Sequence, residues 1–154
     1  MQDWGTQSRL APRLVDSLYV EAMVLADEVR GYFDREGSAE RDMLPPLQRV
    51  AFSCESLKIT TRLMHVVAWL LTRRAIEAGE IPAGPLRDSA RRLGFAADSE
   101  PVAFANLPDP ARALIDASRE LYGRVHRLDE EMDSQEAPPP SPARGLMSRL
   151  ERAF

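Results

Sequence analysis

Few side chains in this sequence are suited to chemistry: His65, His126 and the single cysteine, Cys54. A zinc centre needs a tetrahedral set of nitrogen and sulfur ligands, and the two histidines do not form an H-E-x-x-H pair or a comparable spacing. Cys54 lies on an apolar seam, where the expectation is a packed, inert thiol rather than a nucleophile. No glycine-rich phosphate loop and no G-x-S-x-G elbow occurs. Glu130 and Glu131 are adjacent, so on a helix they point in different directions. A di-metal bundle site would need a Glu-x-x-His motif, and there is none. The sequence therefore points away from an enzyme and implies no metal and no cofactor.

The elements that carry these residues read as helices. The chain has 154 residues, enough for one domain with a modest core, and is 44% hydrophobic and 29% charged. Aromatics make up 6%, and strand-favouring runs of Val, Ile and Thr are missing. The net charge of −4 argues against a general nucleic-acid binder, which needs basic surface. One cysteine forms no intrachain disulfide. The opening MQDWGTQSRLAPRL lacks the basic start and apolar run of a signal peptide. No apolar stretch is long enough to span a membrane. The expected location is the cytoplasm.

Residues 1–9 are expected to be a flexible N-terminus. A first helix is predicted from about Leu10 to Glu36, because Leu14, Leu18, Ala22, Leu25, Val29 and Phe33 recur at helical steps. Gly37 and Ser38 are read as its stop. Pro45 and Pro46 open a second helix that runs to about Ala78, with Gly79 beyond its end. Leu86, Ala90 and Leu93 permit a short helix closed by Gly94, and FAADSEPVAFANLP reads as an irregular connection. A third long helix starts at Asp109 and Pro110 and continues through Leu114, Leu121, Val125, Leu128 and Met132. The expected fold is all-α: an antiparallel three-helix bundle over residues 10–132 with a long central helix, dimeric in its assembled form. Residues 133–154 form an acidic and proline-rich linker and a flexible amphipathic tail. In that tail Leu146, Met147, Leu150 and Phe154 would share one face and serve as a candidate binding element.

The central helix carries two apolar stripes. Leu47, Val50, Cys54, Leu57, Thr61, Met64, Ala68 and Leu71 follow steps of three and four, the rhythm of a heptad seam. Phe52, Ser56, Ile59, Leu63, Val66 and Leu70 keep the same rhythm on the opposite side. Two arrangements fit. The helix may be sandwiched between its neighbours, or one stripe packs within the subunit and the other on a second copy. Phe52, Ile59, Leu63, Val66 and Leu70 are the predicted dimer or packing face. A wedge between the stripes holds Gln48, Glu55, Lys58, Arg62, His65, Trp69 and Thr72. It reads either as a solvated face or as a partner surface with Glu55, Lys58, Arg62, His65 and Trp69 as candidates. Trp69 is the residue a solvated face explains least well.

The stretch ESLKITTRLMHVVAWLLTRRAIEAGEI, Glu55 to Ile81, resembles the regulator of CtrA degradation family of alphaproteobacteria. That family has an E-S-x-x-x-T-T-R-L-M core, a W-L-L segment, an Arg-containing turn and G-E. LIDASRELYGRVHRLDE and SLYVEAMVLADEVRGYF look like its third and first helices. The resemblance implies a small three-helix-bundle dimer with a flexible C-terminal segment and no catalytic residues of its own. It also implies an adaptor that helps the ClpXP protease capture cell-cycle regulators. The family's shared stretch maps here onto Glu55, Ser56, Thr60, Thr61, Arg62, Leu63 and Met64. The implied partners are proteins: the protease or its priming adaptor, a regulatory cargo and a second copy of the chain. A scaffolding dimer that binds a regulator without any protease is the alternative.

Overall fold

The computed structural model describes residues 4–82, 91–136 and 142–153, and every regular element among them is a helix. In chain order these are α1 (Trp4–Asp34), α2 (Glu36–Asp42), α3 (Pro46–Glu77), α4 (Pro101–Phe104), α5 (Asp109–Glu136) and α6 (Pro142–Ala153). Helix α1 begins at Trp4, ahead of the predicted Leu10, and passes through Pro12. A proline inside a helix removes one backbone bond, and the rest of the ladder continues around it.

Gly37 does not end the helical run. The backbone breaks at Arg35 (φ −124°, ψ −88°), and Gly37 is buried inside α2. A Cβ on Gly37 would come 3.0 Å from both the ring and the carbonyl oxygen of Tyr32. Glycine is therefore needed here for close approach. The Tyr32 hydroxyl donates to the Glu40 carboxylate and ties α2 back onto α1.

The bounds of α3 follow the predicted punctuation. Pro46 occupies the first turn, where a missing N–H costs little. At the far end Gly79 takes φ +75°. This left-handed turn lets the Glu80 N–H reach the Ala75 carbonyl at 2.9 Å. Its 32 residues extend about 48 Å at 1.5 Å per residue.

The three long helices share one core. Phe52, Ile59, Leu63, Val66 and Leu70 of α3 are buried with Val15, Leu18, Ala22, Leu25 and Val29 of α1. Ala111, Ile115, Leu121 and Val125 of α5 complete it. Helices α1 and α3 run antiparallel. Asp16 pairs with Arg74 at 3.2 Å, while at the opposite end Phe33 meets Phe52 with ring centroids 5.3 Å apart. Helices α3 and α5, in contrast, run parallel. Arg62 donates to Ser118 at 3.0 Å and Trp69 donates to Asp129 at 2.9 Å, so the two sequences ascend together. The expected antiparallel bundle thus holds for α1 with α3 but not for α3 with α5. Two parallel helices require the intervening chain to travel back the length of α3.

That return is made by an extended segment, residues 92–100. Arg92 bonds Asp129 at 2.9 Å, Gly94 lies against the His65 ring, the Ala97 carbonyl accepts from Arg62, and Ser99 donates to Glu55. The partners on α3 descend from residue 65 to residue 55 as the segment ascends. Of the short helix expected around Leu86, Ala90 and Leu93, the first two positions lie outside the described residues, and Leu93 and Gly94 are in no regular element. Helix α4, within the stretch read as irregular, has Pro101 in its first turn and buries Phe104.

A Cβ built on Gly94 would lie 2.7 Å from His65 Nδ1. Gly94→Ala is expected to cost about 1–3 kcal/mol by overpacking, read as a lower melting temperature. An unchanged melting temperature would show that the return segment does not press on α3 at this point.

Candidate interaction site

Two surfaces of α3 carry the residues singled out in the sequence, and the structure treats them in opposite ways. On the α5 side, the wedge is closed. Glu55 is 3%, Arg62 1% and Trp69 3% exposed. Arg62 is the centre of the cluster. Its Nε and Nη2 donate to the Ala97 carbonyl at 3.2 and 3.1 Å, its Nη1 donates to Ser118, and it also donates to Ser99. Ser99 in turn donates to Glu55, and Lys58 lies 3.4 Å from Glu55. Burial pushes the Arg62 pKa down, and the negative charges of Glu55 and Asp98 push it back up. The guanidinium fork is what allows one side chain to hold a carbonyl and two hydroxyls at once.

Trp69 Nε1 shares Asp129 with Arg92, while Tyr122 donates to the Gly94 carbonyl at 2.8 Å and accepts from the Ala96 N–H at 3.1 Å. The partner of this wedge is therefore the chain's own return segment. Glu55, Arg62 and Trp69 are not offered to another molecule, because burying them inside the subunit satisfies their polar atoms. Lys58 and His65 are half-buried at its edge. Ser56 and Thr60 of the shared stretch donate back to helix carbonyls at 2.8 and 2.9 Å.

Asp98, on the return segment, accepts from Arg119 at 2.7 Å and from the Ser99 N–H at 2.8 Å. Those hydrogen bonds, the Arg119 one first, lower its pKa. A carboxylate with a depressed folded pKa stabilises above its ordinary value, near about 4, and loses that contribution as pH falls. Asp98→Asn is expected to melt slightly below the parent at pH 7, within the ~1 kcal/mol of an exposed pair. The two melting curves should converge as pH falls through the lowered pKa of Asp98. A constant offset at every pH would show that the charge does not matter.

On the other side, α3 is bare. The stripe of Leu47, Val50, Leu57, Met64 and Leu71 points outward, with Leu57 68%, Met64 62% and Leu71 46% exposed. Cys54 is exposed as well. The expected inner seam is thus the outer one, and the predicted dimer or packing face is the interior. Phe52, Ile59, Leu63, Val66 and Leu70 are the α3 residues that pack into one core with α1 and α5, so the inward stripe is set by what those two helices bring against it. Between α3 and α1 the bare stripe borders a groove of about 680 Å³ lined by Met23, Ala26, Val29, Met64, Val67 and Leu71. Arg30, Asp34 and Thr60 also line it. The α1 contribution, Met23 with Val20 and Val24 exposed nearby, was not among the sequence candidates. Its signal was an apolar content of α1 greater than one stripe requires.

The tail candidates sit on α6. Leu146, Met147 and Leu150 are 56–64% exposed, and no residue of α6 is buried. Phe154 lies outside the described residues. Among the described residues no helix is long and apolar enough to cross a membrane.

A family described as a protein of unknown function, DUF1465, matches residues 6–154. The chain belongs to the DUF1465 family. The crystal structure of RcdA from Caulobacter crescentus CB15 superposes on this DUF1465 chain with a TM-score of 0.64. The two are 32% identical over 77% of this chain and 90% of that chain. No curated protein matches. The resemblance read from Glu55–Ile81 is thereby supported at the level of an RcdA-like family. In this DUF1465 chain, the motif's Glu55 and Arg62 latch the return segment and Trp69 bonds Asp129 of α5, whereas Met64 faces the groove.

Proposed function

We propose that this chain is a non-enzymatic adaptor in regulated proteolysis, cytoplasmic and dimeric, that helps deliver cell-cycle regulatory proteins to the ClpXP protease. The observation that carries the reading is the open α1–α3 groove beside a bare apolar stripe. Contiguous apolar surface of this kind marks a protein-binding face, and its methionines suit a surface that accepts several partners. The likeness to RcdA supports the setting in proteolysis control, and the E-S-x-x-x-T-T-R-L-M stretch supports the protease. The test is reconstituted degradation of a candidate regulator by ClpXP with its priming factors. The chain should accelerate degradation, and Leu71→Glu, at the groove, should reduce that acceleration about tenfold or more, as loss of a buried interface anchor does. Equal rates with and without the chain would overturn the reading.

The unbroken run from Leu47 to Leu71 favours a second reading: a scaffolding dimer that holds a regulator with no protease involved. A heptad seam this regular fits another helix of its own kind. Capture of the regulator from extract without any protease would support it.

A further inference from the structure

The outward face of α3 is uncharged for most of its length. Between Val50 and Leu71 every exposed residue of the helix is apolar or a neutral polar side chain. The charges in that span belong to the wedge. Glu55 and Arg62 are buried, and Lys58, at the edge, is held by Glu55 at 3.4 Å. A solvated helix face carries charge, whereas the centre of a protein interface is depleted of it.

The face is also complementary to itself. Its heptad rhythm alternates two kinds of position: Cys54, Thr61 and Ala68 are small, while Val50, Leu57 and Met64 are larger. When a second copy of α3 lies end for end against the first, about a two-fold axis level with Ile59, Leu57 meets Thr61 of the second copy and Cys54 meets its Met64. Val50 then meets Ala68 of the second copy, and Leu47 meets its Leu71. In the first three pairs a small side chain receives a larger one, and the last joins two leucines at the end of the seam. Large facing small is how helix layers interdigitate without voids. All eight residues are exposed and all eight are paired in this register. A slip of one heptad either way leaves two of them bare. A parallel arrangement sets small against small and large against large. The stripe drifts about 20° per heptad, so the two helices cross at about 20° in a left-handed sense.

We propose that the chain pairs with a second copy through α3 in this antiparallel register. The second α3 then lies along the edge of the α1–α3 groove, because Met64 and Leu71 belong to both. This rests on the dimer of the preceding subsection and assigns its surface. The pairing is isologous and closed, so it stops at two copies.

Cys54 is the chain's single cysteine, which makes the register measurable in the full chain. Sedimentation gives the mass, and mild oxidation followed by peptide mapping gives the contact. Met64→Cys places a second thiol about 15 Å from Cys54 along the same helix and opposite Cys54 of the second copy. A link between residues 54 and 64 therefore forms only between chains. Met64→Cys is expected to become a covalent dimer linked in this way. The parent should stay unlinked, since its two Cys54 thiols lie about 15 Å apart along the seam. Leu57→Glu, beside the axis, should weaken self-association at least about tenfold while the subunit keeps its helical circular dichroism. A monomeric parent at every concentration overturns the dimer and the proposal together. A dimeric mass without the 54-to-64 link, or one that ignores Leu57→Glu, leaves the dimer standing and overturns this surface. A disulfide-linked parent marks a parallel seam and overturns the register, as does linkage of Leu71→Cys in preference to Met64→Cys, the mark of a slipped one.

Discussion

Replacing Arg62 by methionine is expected to lower the melting temperature by about 6–20 °C. The side chain is buried, and its donors hold the Ala97 carbonyl, Ser99 and Ser118. Methionine keeps much of the volume and removes the charge. Glu55 then remains buried with Lys58 as its neighbouring cation and Ser99 as its hydrogen-bond donor, and the return segment loses its central latch. Breaking a buried charged network by removing one partner costs about 3–5 kcal/mol. For a chain of this size each kcal/mol shifts melting by about 2–4 °C. Arg62→Lys should recover only part of the loss, because an ammonium cannot span the same three acceptors. The double variant Arg62→Met with Glu55→Gln should be less damaged than the single one, since no uncompensated charge is left inside. If the single variant melts within about 2 °C of the parent, the polar cluster is incidental to the fold.

Two glutamates placed two residues apart on α3 should give opposite outcomes. Val66 is fully buried in the core the three long helices share, where a carboxylate is taken out of water. The cost of an unpaired buried charge approaches the whole stability of a domain, about 5–15 kcal/mol. Val66→Glu should therefore show no cooperative melting. Met64 is 62% exposed, and Met64→Glu should melt within about 0.5 kcal/mol of the parent. The same change should abolish self-association if the outer stripe meets a second copy, as sedimentation or light scattering would report. Parent-like melting of Val66→Glu would mean that the inner stripe has been misassigned.

How far the fold could be read in advance depended on which residues act alone. The ends of α3 were legible because Pro46 and Gly79 act locally. Both stripes of α3 were legible because their spacing is a property of one helix. Which stripe faces inward was not, since that depends on what α1 and α5 bring against it. Glu55, Arg62 and Trp69 stand seven apart, and that regularity was visible. Their partners were not: Ala97 and Ser99 lie in an extended segment with no periodicity to detect. The parallel course of α5 was hidden for the same reason. Gly37 was misread as a stop because the demand for a missing Cβ comes from Tyr32, five residues back on another helix. The groove itself needs Met23 and Met64 side by side, a juxtaposition that only the antiparallel pairing of α1 and α3 creates.

The groove is made by α1 and α3 alone, while the polar latch joins α3 to the return segment and α5. The two sides of α3 thus meet different neighbours. A local opening confined to the return segment leaves the contacts of α1 with α3, and the groove they form, in place. Occupancy by a partner should consequently follow the integrity of those contacts rather than the melting point of the whole chain. A variant such as Gly94→Ala, which loosens the far side, becomes less heat-resistant while recognising its partner as well as before.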